Sequence, residues 1–289
     1  MRYNHKFLKV RNLTASRFLF NKDIEIREKL DIDPVAIGEN AGKIGQSKKS
    51  VAIGYKAGLL NQGGNSVAIG KAVGSNSQSS NSVTVGYFSA ISNQEPNTVV
   101  LGRTMCDRGQ GRESVAIGSS TALQCQNSVI IGYDSPSYLQ RENCVSISGN
   151  YTVATQKCNA VSIGGGSGYL PEEDTICVGF EAGFWNASPK SIYIGNYAGR
   201  LGTGNNNIIF GSFSGNLSYT GNNVIHIGYN INSTTSANNT IIINATGLSF
   251  STSTNGFYVV PTILNSRAVG LNDVDLGYNI NTGELFIKA

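Results

Sequence analysis

Charge is scarce in this sequence. Charged residues make up 14% of its 289 positions, and the formal net charge is only +4. There are two histidines, one tryptophan, two methionines and six prolines. Each shortage excludes something. So few histidines leave little material for a histidine metal cage or a Ser-His relay. No stretch of eighteen apolar residues exists to form a membrane-spanning helix. The N-terminus, Met1-Arg2-Tyr3-Asn4-His5-Lys6, is not followed by an apolar core, so no signal peptide is expected. The basic excess is concentrated in residues 1–33, with eight basic against five acidic residues, but it is too mixed in sign for a nucleic-acid arm. The five cysteines, Cys106, Cys125, Cys144, Cys158 and Cys177, fall at different phases of the pattern described next. No CxxC spacing points to zinc. Five free thiols are expected, and with them assembly in a reducing compartment.

What the chain has in abundance is glycine, 35 residues of it, arranged with a period. Val35-Ala36-Ile37-Gly38 returns as Val51-Ala52-Ile53-Gly54 and Val67-Ala68-Ile69-Gly70, and degenerate copies continue to Ile241-Ile242-Ile243-Asn244. The closing residues stand at 38, 54, 70, 86, 102, 118, 132, 148, 164, 179, 195, 211, 228 and 244, so ten of the thirteen intervals are sixteen residues. A unit this short cannot bury its own apolar face, so the copies must stack. The expected fold is all-β: a parallel β-solenoid of about 14 coils with a sixteen-residue period. At about 4.8 Å per coil, the column is roughly 65 Å long.

Counting from the closing residue as zero, position −3 is Val in nine copies and Ile in five; position −1 is Ile, Val, Leu or Phe210. Side chains alternate along a strand, so −3 and −1 share one face and −2 takes the other. The −2 column is apolar in ten of fourteen copies and small in most early ones. It is expected to meet partner chains, making Ala52, Ala68, Val100, Ala116, Ile130, Tyr193, Ile209 and His226 candidates for a trimer interface. Position −5 is Asn in nine copies, and Asn tolerates left-handed backbone at a corner. Stacked copies of it predict an amide ladder. A second Gly four residues past the first predicts a second corner.

Three parts follow: an anchor or cap over residues 1–33, the repeat domain over 34–247, and a C-terminal cap over 248–289. In the last, Leu276–Ile280 and Glu284–Ile287 flank Asn281-Thr282-Gly283 as a hairpin.

The run Asn65-Ser66-Val67-Ala68-Ile69-Gly70 resembles the head repeat of YadA-like trimeric autotransporter adhesins, as do similar runs across 34–247. Copies such as Ile194-Gly195-Asn196-Tyr197-Ala198-Gly199 also resemble repeats in fibre and spike proteins of large DNA viruses and phages. So does the ending from Asn255 to Leu285. The resemblance implies a left-handed β-roll that forms homotrimers and contacts a host surface. The head repeat of the autotransporters is usually shorter, and their signal peptide, heptad stalk and membrane β-barrel segment have no counterpart in this sequence. With free thiols, this turns the expectation towards a virion-surface protein assembled in host cytoplasm, docked to a capsid or other virion protein through residues 1–33 and contacting a host receptor or glycan. The alternatives are a bacterial adhesin head and a solenoid enzyme acting on polysaccharide.

No catalytic residue, metal or cofactor is expected. Tyr55, Tyr87, Tyr133, Phe180 and Tyr229 recur just after the closing residue; they either staple adjacent coils or stack on sugar rings. His226 is either a buried histidine or one of three meeting on a trimer axis. Gly164-Gly165-Gly166-Ser167-Gly168 lacks the Lys-Ser/Thr ending of a phosphate loop and reads as a turn. Glu172, Glu173 and Asp174 form a solvated turn without the calcium-loop pattern.

Overall fold

The computed structural model describes residues 34–260 with breaks at 107–108, 122, 134–138, 150–154, 186, 202–203, 217–220 and 234–236, together with 276–278 and 285–287. The anchor segment 1–33, with His5, and the turn 281–283 lie outside the described residues. The described chain is an all-β parallel solenoid of a dozen or more turns with a period near sixteen residues.

Its spine is one sheet of fifteen strands in which the strands from successive copies pair in parallel. Register follows the repeat: Val35 faces Val51, Val51 faces Val67, and the match continues to Ile225 beside Ile241. Fourteen strands come from the fourteen copies. The fifteenth, Phe257–Val260, lies parallel beside Ile241–Asn244. The sheet therefore runs past residue 247, where the repeat motif stops being legible. Leu276–Tyr278 and Leu285–Ile287 pair antiparallel, as a hairpin requires.

The corners explain the conserved-looking letters of each copy. The closing glycines have φ near +130°, and a Cβ on Gly86 would stand 1.7 Å from the Gly102 carbonyl oxygen of the next coil. Only glycine fits this approach at the bend. The Asn column occupies left-handed backbone, with φ of 54° at Asn65 and 57° at Asn81. Its amides form the expected ladder: Asn65 Nδ2 donates to Asn81 Oδ1 at 3.3 Å, and Asn81 donates to Asn97 at 3.3 Å. Asp174 takes the same place at φ 58° and accepts from Asn159 at 3.0 Å.

One expectation is reversed. The −2 side chains point into the coil rather than towards partners. Ala52, Ala68, Val100, Ala116, Tyr193, Ile209 and His226 are 0% exposed, and Ile130 is 1% exposed, within a single chain. The physical reason is space. A sixteen-residue coil encloses a narrow lumen, which takes one column of small side chains more readily than two columns of Val and Ile. The −3 and −1 columns stand on the outside.

Opposite the −2 column, a second wall closes the lumen with glutamine. Gln62, Gln78, Gln94, Gln110, Gln124, Gln140 and Gln156 are all buried. Their amides pass hydrogen bonds from coil to coil: Gln62 Nε2 to Gln78 Oε1 at 3.1 Å, Gln94 to Gln110 at 3.3 Å and Gln140 to Gln156 at 3.1 Å. They also cap the spine, as in Gln62 Nε2 to the Val51 carbonyl at 2.9 Å. Most buried polar groups are satisfied in this way; Gln62 Oε1 and Gln140 Oε1 are buried without a partner among the described residues.

Candidate functional site

Two surfaces carry the chemistry a partner would meet. The first is the outer face of the spine. Ile37, Ile69, Ile147, Ile208, Phe210, Ile227, Ile241, Phe257 and Val259 are all exposed there, Phe210 at 53% and Ile227 at 43%. They belong to the −3 and −1 columns, extended by the last strand. Soluble monomers rarely expose contiguous apolar patches beyond a few hundred Å².

The second is the corner just past the closing residue. Tyr55, Tyr87, Tyr133, Phe180 and Tyr229 are all exposed, as residues that staple coils from outside or meet a ligand must be. They divide into two groups. In the later coils the rings hold one another: Phe180 to Tyr197 at 5.4 Å between centroids, Tyr197 to Phe213 at 5.2 Å, Phe213 to Tyr229 at 5.9 Å. Arg200 lies over the Tyr197 ring at 5.4 Å and is bonded to Glu181. Tyr169, Phe184 and Trp185 cluster beside this staple. In the earlier coils two of the tyrosines contact cations: Lys56 lies 5.1 Å over Tyr55, and Lys71 lies 5.5 Å over Tyr87, whose ring also meets Phe88 edge-on at 4.6 Å. Sequence reasoning found the exposed rings and missed Tyr197 and Phe213, which sit one residue further on.

His226 is inside the coil between Ile209 and Ile242. Burial pushes its pKa down to about 4, so it is neutral at neutral pH. Three copies cannot meet on an axis through a side chain with no exposed surface. The glycine run 164–168 is a pair of solenoid corners, where Ser167 Oγ donates to the Cys177 carbonyl at 2.8 Å. Glu172 pairs with Lys157. Among the described residues, no three metal-capable side chains converge. Cys125, Cys144, Cys158 and Cys177 are unbridged. Burial raises the Cys144 thiol to about 11 and raises Cys125 and Cys177 as well. Such thiols stay protonated and are poor nucleophiles.

Compared with family models, curated proteins and solved structures, the chain finds no match.

Proposed function

We propose that the chain is a structural and adhesive surface protein: a homotrimeric spike, fibre or decorating component of a virion, used for particle architecture or host attachment. The observation that carries this reading is the outer apolar face. Two aliphatic columns follow fifteen strands, and at about 4.8 Å per strand they make a strip tens of ångströms long. A strip of that length must be covered, and three copies laid in register around one axis cover it with like against like. The −3/−1 columns take over the role first expected of the −2 column. The resemblance to YadA-like heads, left-handed β-rolls that trimerise, supports the same arrangement. The unbridged cysteines favour assembly in a reducing compartment, and so a virion over the bacterial adhesin head. Residues 1–33 are proposed to dock the trimer on its parent particle. The engaged carboxylates of Glu172 and Asp174 give the polysaccharide-enzyme alternative no support.

Light scattering at micromolar concentration tests the reading. The full chain should show three times its 30.6 kDa mass. Ile227→Asp, on the outer face, should give a folded monomer. A folded wild-type monomer would overturn the proposal.

A further inference from the structure

From the second copy to the seventh, the position after the closing glycine reads Tyr55, Lys71, Tyr87, Arg103, Ser119 and Tyr133. Ladder pairing sets these residues side by side: Lys71 beside Tyr87, Tyr87 beside Arg103, Arg103 beside Ser119, and Ser119 beside Tyr133. From Tyr55 to Arg103, aromatic ring and cation thus alternate one coil at a time, and Ser119 then separates Arg103 from Tyr133. The three tyrosines and both cations are exposed, Tyr133 at 57%. Neither this column nor the residue after it holds a carboxylate from Tyr55 to Ser120; the first one is Asp134, next to Tyr133. Neither Lys71 nor Arg103 is in an ion pair among the described residues. Where the series steps down to Ser119, a cleft of about 200 Å³ opens, lined by Arg103, Thr104, Ser119 and Tyr133.

We propose that this stripe binds a linear acidic polysaccharide lying along the solenoid axis. Sugar rings stack on Tyr87 and Tyr133, and carboxylate or sulfate groups of alternate sugars meet Lys71 and Arg103. The Ser119 cleft seats one ring. Lys71 and Arg103 stand two coils apart, about 9.6 Å, on the scale of a two-sugar repeat, and Tyr87 and Tyr133 three coils apart, about 14.4 Å, on the scale of three sugars. Flat apolar tyrosine faces suit pyranose rings, and cations suit the anionic substituents. Single-stranded nucleic acid also combines stacking with cations, but it tracks a charge on every nucleotide. Two cations over six coils, in a chain of net charge +4, fit the sparser charge of a glycan. The later aromatic series makes the contrast in its cation: Arg200 is already bonded to Glu181.

The inference deepens the adhesive reading and rests on it. Calorimetric titration of the full chain with hyaluronan oligosaccharides, heparin, neutral dextran and oligothymidylate tests it. At least one of the two acidic glycans should bind, more weakly as salt rises. Lys71→Gln with Arg103→Gln should weaken binding at least tenfold and flatten the salt dependence. Tyr87→Ala with Tyr133→Ala should weaken it about tenfold with the salt dependence kept, and Phe213→Ala should change nothing. Circular dichroism and light scattering establish that each variant keeps fold and mass. Failure of both acidic glycans to bind, equal binding of dextran, tighter binding of oligothymidylate, or indifference to the tyrosine pair would each overturn the inference. A trimer that binds no acidic glycan overturns it and leaves the oligomeric reading standing.

Discussion

The two halves of the solenoid share a spine but fill their lumens differently. Up to about residue 163 the −2 residues are mostly small, and glutamines complete the interior. Ala52, Ala57 and Ala68 cluster with Val73, and Val100 and Ala116 with Met105. From residue 164 onward the glutamine column stops and the −2 residues grow to Cys177, Tyr193, Ile209, His226 and Ile242. Tyr193 then packs with Cys177, Ala182, Ala187, Ala198, Ile209 and Val224. One lumen is closed by a hydrogen-bonded amide column, the other by packed volume. The difference teaches that the backbone period fixes how much space there is, and that two chemistries can fill it. A glutamine ladder is directional and fixes register. A packed lumen gains from burial but depends on shape.

Shape dependence makes the later half the more brittle. A Cβ on Gly199 would lie 1.9 Å from the Tyr193 ring, at φ +58°. Gly199→Ala should cost about 3 kcal/mol or more in denaturant unfolding, combining left-handed strain with overpacking. Tyr193→Ala should cost about 3–5 kcal/mol by opening a cavity. The double variant should fall short of the sum by more than about 1 kcal/mol, since the clash disappears with the ring. The matching change in the early half, Gly58→Ala, meets the movable Gln62 amide at 2.8 Å and should cost less.

The later half should also be the acid-sensitive one. The folded His226 has its pKa near 4, below the ordinary 6.5, because burial disfavours its charge. Between those values the unfolded chain binds a proton that the folded chain does not. This contribution to stability is therefore complete above pH 6.5, is lost as pH falls towards about 4, and is constant below. About 3 kcal/mol is at stake. His226→Ile, matching its neighbours Ile209 and Ile242, should flatten unfolding free energy across that window. An unchanged pH profile would refute the assignment.

The smallest effect belongs to the early half. Gln94 accepts from Thr84 Oγ1 at 2.8 Å and donates to Gln110 Oε1 at 3.3 Å. Gln94→Leu should cost about 1–3 kcal/mol by leaving those partners unmet, as thermal unfolding would show. A neutral result would mean the amide ladder adds no stability.

The spacing of closing residues was enough to read the parallel stacking and register directly, and the Asn column foretold its ladder. The inside and the outside were not readable the same way, because both the −2 column and the −3/−1 columns are apolar. Alternation says that two faces differ; it does not say which one is enclosed. The signal that decides it was present. Gln46, Gln62, Gln78 and Gln94 recur eight residues after each closing glycine, and a recurring uncharged amide beside small −2 residues marks a narrow lumen. The proposed glycan stripe was half legible: the tyrosines stood out, whereas Lys71 and Arg103 became meaningful only once coils were set side by side.

The adjacent pair Ile130 and Ile131 tests the central claim most directly. They are neighbours in one strand, but Ile130 points into the lumen and Ile131 outward. Ile130→Asp would bury an unpaired charge and should abolish cooperative folding, at a cost of more than about 4 kcal/mol. Ile131→Asp should leave the circular dichroism spectrum intact and reduce the scattering mass to that of one chain. The opposite pattern, a folded monomer from Ile130→Asp and an unfolded chain from Ile131→Asp, would contradict the account.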